Sequence, residues 1–127
     1  MNEEMLNENT PLPSLAVATA KELAGAAANI LDAKKATGIS VISVEGRSDI
    51  TDYLVLANGT SAPHIKALAD ELEFKLSERG VYPLHTDGLA TRSWQIVDYG
   101  TVMVHIFDRE SREFFNLDKL YRETPEE

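Results

Sequence analysis

Two aspartates and three histidines are the side chains of this sequence best suited to bond-making chemistry. Asp49 and Asp52 follow Gly46-Arg47-Ser48, an order that metal-dependent nucleotidyl transfer could use. That reaction needs carboxylates projecting together so that two cations sit about 4 Å apart. The spacing works against it. Residues three apart on a strand point to opposite faces, whereas residues two apart share one. No third carboxylate follows at a useful position, so a loop cap and a strand-start carboxylate account for the pair more simply. His64, His85 and His105 lie about twenty residues apart, with no Gly-x-Ser-x-Gly elbow and no short-spaced ligand pair beside them. Gly59-Thr60-Ser61 stands where a helix should begin and could hold an anion through backbone N–H groups, but helix capping explains it with less. The reading is therefore of a chain without catalytic residues, metal site or cofactor, with a nucleotidyltransferase-like enzyme as the alternative.

The whole chain sets further bounds. Its 127 residues are 43% hydrophobic and 26% charged, which suits one domain with its own core. Cysteine is absent, which excludes disulfides, thiol catalysis and thiolate metal sites, and is compatible with a reducing cytoplasm. No apolar run approaches the ~20 residues that cross a bilayer, and Met1 to Asn9 hold three Glu and no Lys or Arg, so neither a membrane span nor a signal peptide is expected. The net charge is −9, of which the first residues carry three negative charges and the last residues a net two, leaving −4 on the body. Bare RNA or DNA is a poor partner for such a surface, because nucleic-acid affinity comes largely from cations that displace counterions. A basic protein fits better.

Elements must position whatever the chain uses. Residues 1–13 are acidic, polar and broken by Pro11 and Pro13, and are expected to form a disordered lead, with an acidic tail at 122–127 and the domain between, from 14 to 121. Ser14 is expected to cap a helix running to Lys35, with Leu15, Leu23, Ala27, Ile30 and Leu31 as its apolar stripe. Two β-branched strands follow, Ile39 to Val44 and Asp52 to Ala57, the second apolar on both faces and hence interior. Ile65, Leu68, Ala69, Leu72 and Leu76 mark a second helix that starts near Pro63 and stops at Gly80. Val81 to His85 contains Pro83 and can be an edge strand at best. Ser93 to Asp98 and Thr101 to Phe107 form a hairpin about Tyr99-Gly100, and Ser111 to Tyr121 closes the chain as a helix with Phe114, Leu117 and Tyr121 on one face. The fold expected is single-domain α/β, a mixed four- to five-stranded sheet flanked by helices.

The hairpin is the informative segment. A two-residue loop at Tyr99-Gly100 pairs Asp98 with Thr101, Ile96 with Met103 and Trp94 with His105. One face then carries Val97, Val102, Val104 and Ile106, all aliphatic. The other carries Trp94, Ile96, Asp98, Met103, His105 and Phe107, a mixture typical of a binding patch, although a helix laid over it would make Trp94 an ordinary packed ring.

Trp94 to Phe107, read together with Asp49-Ile50-Thr51-Asp52-Tyr53, with Gly59-Thr60-Ser61 followed by His64, and with Ser111 to Tyr121, resembles the signature of the bacterial ribosomal silencing factors, the Iojap family. The likeness spans about residues 18 to 121 in consistent order. It implies a nucleotidyltransferase-like fold used without catalysis. Members of that family bind the large ribosomal subunit through its ribosomal protein numbered fourteen, keep the small subunit from joining, and silence translation when nutrients run short. The resemblance also implies a homodimer when free, and contact residues Trp94, Tyr99 at the hairpin tip and Phe107, beside which Met103, His105 and Asp98 share the patch.

Overall fold

A computed structural model describes residues 12–88 and 93–122. In chain order the elements are α1 (Ala20–Ala33), β1 (Thr37–Ser43), β2 (Tyr53–Asn58), α2 (Ala62–Ser77), β3 (His85–Asp87), β4 (Trp94–Asp98), β5 (Val102–Phe107), α3 (Arg109–Phe115) and α4 (Leu117–Arg122). The sheet is five-stranded and mixed, in the order β1-β2-β5-β4-β3. Only the β2–β5 pair is parallel, so β2 sits inside the sheet as its two apolar faces require.

Helices α1 and α2 cover one face. Leu23, Ala24, Ala27 and Leu31 of α1 and Ile65, Leu68, Ala69, Leu72 and Leu76 of α2 meet Val55, Ala57, Val97, Val102, Val104 and Ile106 of the sheet in one buried cluster. The α2 stripe is the one its spacing predicts, and Lys66 pairs with Asp70 at 3.1 Å on its exposed side. On the opposite face a smaller cluster of Ile42, Val44, Leu54, Leu56 and Phe107 is only partly covered by the short helices at the chain's end.

Several expectations shift. Helix α1 begins five residues later than Ser14 predicts, because Thr19 and Glu22 form a reciprocal capping box there, at 3.1 and 3.0 Å. Ser14 instead turns its hydroxyl to the carbonyl of Arg79, at the far end of α2. The edge strand falls at His85–Asp87, just past Pro83, where the missing donor no longer interrupts pairing. The closing helix is two helices, because Asn116 takes a left-handed conformation (φ 51°) and ends α3 after seven residues. Leu117 therefore begins a new helix and does not continue the face of Phe114; the side chain of Tyr121 lies outside the described residues, as do residues 1–11 of the expected lead and 123–127 of the tail.

The hairpin register is also corrected. Trp94 pairs with Phe107, Ile96 with His105 and Asp98 with Met103, two residues along from the expected partners. The Tyr99 N–H donates to the Val102 carbonyl at 2.8 Å, which puts Gly100 and Thr101 in the loop. Gly100 supplies the positive φ, 89°, that a tight hairpin loop demands. A slip of two residues preserves the alternation of faces, so both compositional faces survive it.

Candidate functional site

The patch is assembled on the sheet face that α1 and α2 leave open. Alternation along β4 and β5 puts Trp94, Ile96, Asp98, Met103, His105 and Phe107 on that face together, as the sequence suggests. At its centre the indole of Trp94 donates its Nε1–H to Nδ1 of His105 at 3.0 Å. The acceptor role fixes the imidazole as the tautomer protonated at Nε2. Burial of His105, which is 6% exposed, disfavours its charged form and lowers its pKa to about 4. At neutral pH the histidine is therefore an uncharged acceptor, which is what the indole N–H needs.

Aromatic rings lock the indole in place. Phe107 stacks on it with centroids 5.6 Å apart, the His105 ring lies at 5.8 Å, and Phe115 from α3 comes to 4.3 Å. Trp94 remains half-buried, neither enclosed by its own chain nor free of it. Ile96, Asp98 and Met103 have the same intermediate exposure. The Asp98 carboxylate already has a task, accepting the Gly100 N–H at 2.8 Å and so shaping the hairpin loop.

Tyr99 and Phe107 lie elsewhere than a contact role at the surface would put them. Phe107 has no exposed surface, because Ile42, Val44, Leu54 and Leu56 surround it; it supports the patch from beneath. His105, nearly as buried, supports it in the same way. Tyr99 is not at the hairpin tip but one residue before it, on the aliphatic face, and is 8% exposed. Its hydroxyl has no hydrogen-bond partner among the described residues, and burial, followed by the carboxylate of Glu73, pushes its pKa up. Exposed parts of the patch therefore reduce to Trp94, Ile96, Met103 and Asp98.

The sequence reading missed two members. Phe114 is 80% exposed and Phe115 45%, and their rings meet edge-on at 5.1 Å. Together with Trp94 they make a continuous aromatic ridge. The doublet of adjacent phenylalanines was the available signal, since on a helix two neighbours cannot both face one core. What holds α3 there is Arg112, 12% exposed. Its guanidinium donates to Ser40 Oγ at 3.1 Å, Asn58 Oδ1 at 2.9 Å and the Gly38 carbonyl, and clasps the Asp118 carboxylate with two bonds of 2.8 and 3.1 Å. Strands β1 and β2 and both terminal helices are thus joined through one side chain. A side chain on Gly38 would collide with Asn58 and Arg112, so glycine keeps that junction close.

The residues considered for bond-making chemistry are dispersed. Asp49 is exposed in the loop before β2 and Asp52 half-buried at the strand's start. Among the described residues, no group of three or more His, Asp or Glu side chains is gathered as for a metal ion. His64 accepts the Thr60 N–H at Nδ1, 2.9 Å, and through Nε2 meets the Lys34 carbonyl at 3.0 Å, tying the start of α2 to the end of α1. Ser61 caps α2 by accepting the His64 N–H at 3.1 Å, which spends the helix start on itself. No helix among the described residues is long and apolar enough to cross a membrane.

The family model described as ribosomal silencing factor during starvation matches residues 17–127. The chain is 32% identical over 105 residues to a ribosomal silencing factor of Halalkalibacterium halodurans, an alignment covering 83% of this chain and 90% of the relative. It is 37% identical over 91 residues to one from Haemophilus influenzae, covering 72% and 89%. Among solved structures, a Chromobacterium violaceum protein superposes with a TM-score of 0.79 at 25% identity, covering 86% of this chain and 91% of that one. A Bacillus halodurans protein does so at 0.71 and 32% identity, covering 80% and 94%.

Proposed function

The chain belongs to the ribosomal silencing factor family, and from that membership we propose that it represses translation under nutrient limitation by occupying the large ribosomal subunit and sterically preventing the small subunit from joining. The contact runs through the large-subunit ribosomal protein numbered fourteen, and no catalytic step or cofactor is involved. The protein works in the cytoplasm and is a homodimer when free, its apolar patch covered by a second copy until the ribosome replaces it.

The observation that carries this reading is Trp94, half-buried on the open sheet face and fixed by His105, Phe107 and Phe115. A large ring already held in one orientation loses little entropy on docking, which is the property of interface hot spots. The acidic body adds orientation toward a basic ribosomal protein and away from bare rRNA. Trp94→Ala tests it: affinity for purified large subunits should fall by at least about 2 kcal/mol, roughly thirtyfold, with subunit joining restored and the variant still folded. Unfolding of the variant would make Trp94 a core residue and defeat the reading. Undiminished binding would defeat it as well.

A further inference from the structure

Helix α3 presents an apolar ridge outward while being firmly anchored. Asp108 caps its start, accepting the Ser111 N–H at 2.7 Å, and Asn116 closes its end with a bond to the Arg112 carbonyl at 2.9 Å. The Arg112 guanidinium then fastens it to β1, β2 and α4. On this anchored helix Phe114 is 80% exposed and Phe115 45%, and the ridge continues through the 4.3 Å contact into Trp94. Scattered single apolar residues on a surface mean little, but three aromatic rings in an unbroken row on a rigid support are a recognition feature.

Charge indicates what it recognises. Glu110 and Glu113 are exposed on α3 on the side of Phe114 away from Phe115, and Asp87 is exposed on the neighbouring edge strand, opposite Ile96. The positive charge of Arg112 is already matched by Asp118, leaving Arg109 as the exposed cation of the helix. An apolar ridge with a mainly acidic border complements a protein surface with an apolar hollow set among Lys and Arg.

We infer that Phe114 and Phe115 form the outer half of the ribosome-facing surface, inserting into an apolar recess bordered by basic side chains on the ribosomal protein that also receives Trp94. This rests on the reading above, that Trp94 marks the contact with the large subunit. It extends that contact from the sheet onto the C-terminal helical segment, which none of the positions implied by the family resemblance includes.

The test uses the full chain and purified large subunits, comparing the parent with Phe114→Ala, Trp94→Ala and the pair Glu110→Gln with Glu113→Gln. Because Phe114 is so exposed, Phe114→Ala should keep the parent's melting temperature and weaken binding at least tenfold. The charge variant should bind more slowly, with a shallower dependence on salt. Normal binding by Phe114→Ala beside a large loss in Trp94→Ala would confine the surface to the sheet and overturn the inference while leaving the function intact. Loss of the dimer by light scattering without loss of ribosome affinity would assign the ridge to a second copy and overturn it too. A lowered melting temperature with unchanged affinity would place Phe114 in the chain's own packing, with the same consequence. Tighter binding by the charge variant would refute a basic partner, and failure of the parent to bind large subunits would remove the reading on which all of this stands.

Discussion

The two faces of one sheet differ in composition and in burial. Toward α1 and α2 the strands offer Val55, Ala57, Val97, Val102, Val104 and Ile106, each almost wholly buried. Toward the other side the same β4 and β5 offer Trp94, Ile96, Asp98, Met103 and His105, of which only His105 is buried. Alternation along a strand lets adjacent residues serve cohesion and recognition without compromising each other. The aliphatic face is packed against α1 and α2. The open face keeps costly features, a half-wet indole and a buried imidazole, that a core selected only for stability would lack.

That division predicts unequal effects of equal truncations. Ile106→Ala, on the covered face, should lower the unfolding free energy by about 3–4 kcal/mol, the cost of a cavity that packed neighbours cannot close. Ile96→Ala, on the open face and half-exposed, should cost no more than about 1 kcal/mol while weakening large-subunit binding. Urea denaturation monitored by circular dichroism measures both. Equal losses would mean that the open face is as much core as the covered one.

Next in size is a pH effect confined to the open face. The His105 pKa is lowered by burial from an ordinary 6.5 to about 4. In acid the unfolded chain takes up this proton before the folded chain does, so stability is fully present above pH 6.5 and falls as the pH drops toward 4. Each pH unit separating the folded and unfolded values is worth about 1.4 kcal/mol, so the loss from this group approaches ~3 kcal/mol. His105→Asn removes the titrating ring yet offers an oxygen near the position of Nδ1. Its unfolding free energy should decline less than that of the parent as the pH falls through this window. Trp94 is the sole tryptophan, so intrinsic fluorescence follows the same site directly. Parallel pH profiles for the two proteins would show that the imidazole does not carry this cost.

What could be seen in the sequence was whatever depends on alternation or periodicity. The α2 stripe, the interior position of β2 and both compositional faces of the hairpin follow from neighbours on the chain, and a register error of two residues leaves them unchanged. What could not be seen depends on choices between nearly equivalent local signals. Ser14 and Thr19 are both good caps, and Glu22 three residues beyond Thr19 decides between them. The break at Asn116 separates one expected helix into two, so that Leu117 no longer shares a helix with the exposed Phe114; asparagine tolerates the left-handed conformation without demanding it. Burial of Tyr99 and Phe107 depends on the loop register and on side chains from β1 and β2, tens of residues distant. The Arg112 junction is likewise nonlocal, since Ser40, Asn58 and Asp118 come together only in the folded chain.

The smallest effect tests the comparison from its aliphatic side. Tyr99 brings a polar group to that face, a buried hydroxyl that finds no hydrogen-bond partner among the described residues. Water solvates that group in the unfolded chain, so folding surrenders a hydrogen bond that the native packing does not return. Tyr99→Phe deletes the group and keeps the ring, and the protein should gain about 1 kcal/mol in a urea titration, with large-subunit binding unchanged. The sign is what matters. A gain would establish that this buried hydroxyl on the covered face is a cost to folding and takes no part in recognition. A loss would mean that the hydroxyl is satisfied in solution, and unchanged stability with weakened binding would return Tyr99 to the contact surface and erase the separation between the faces.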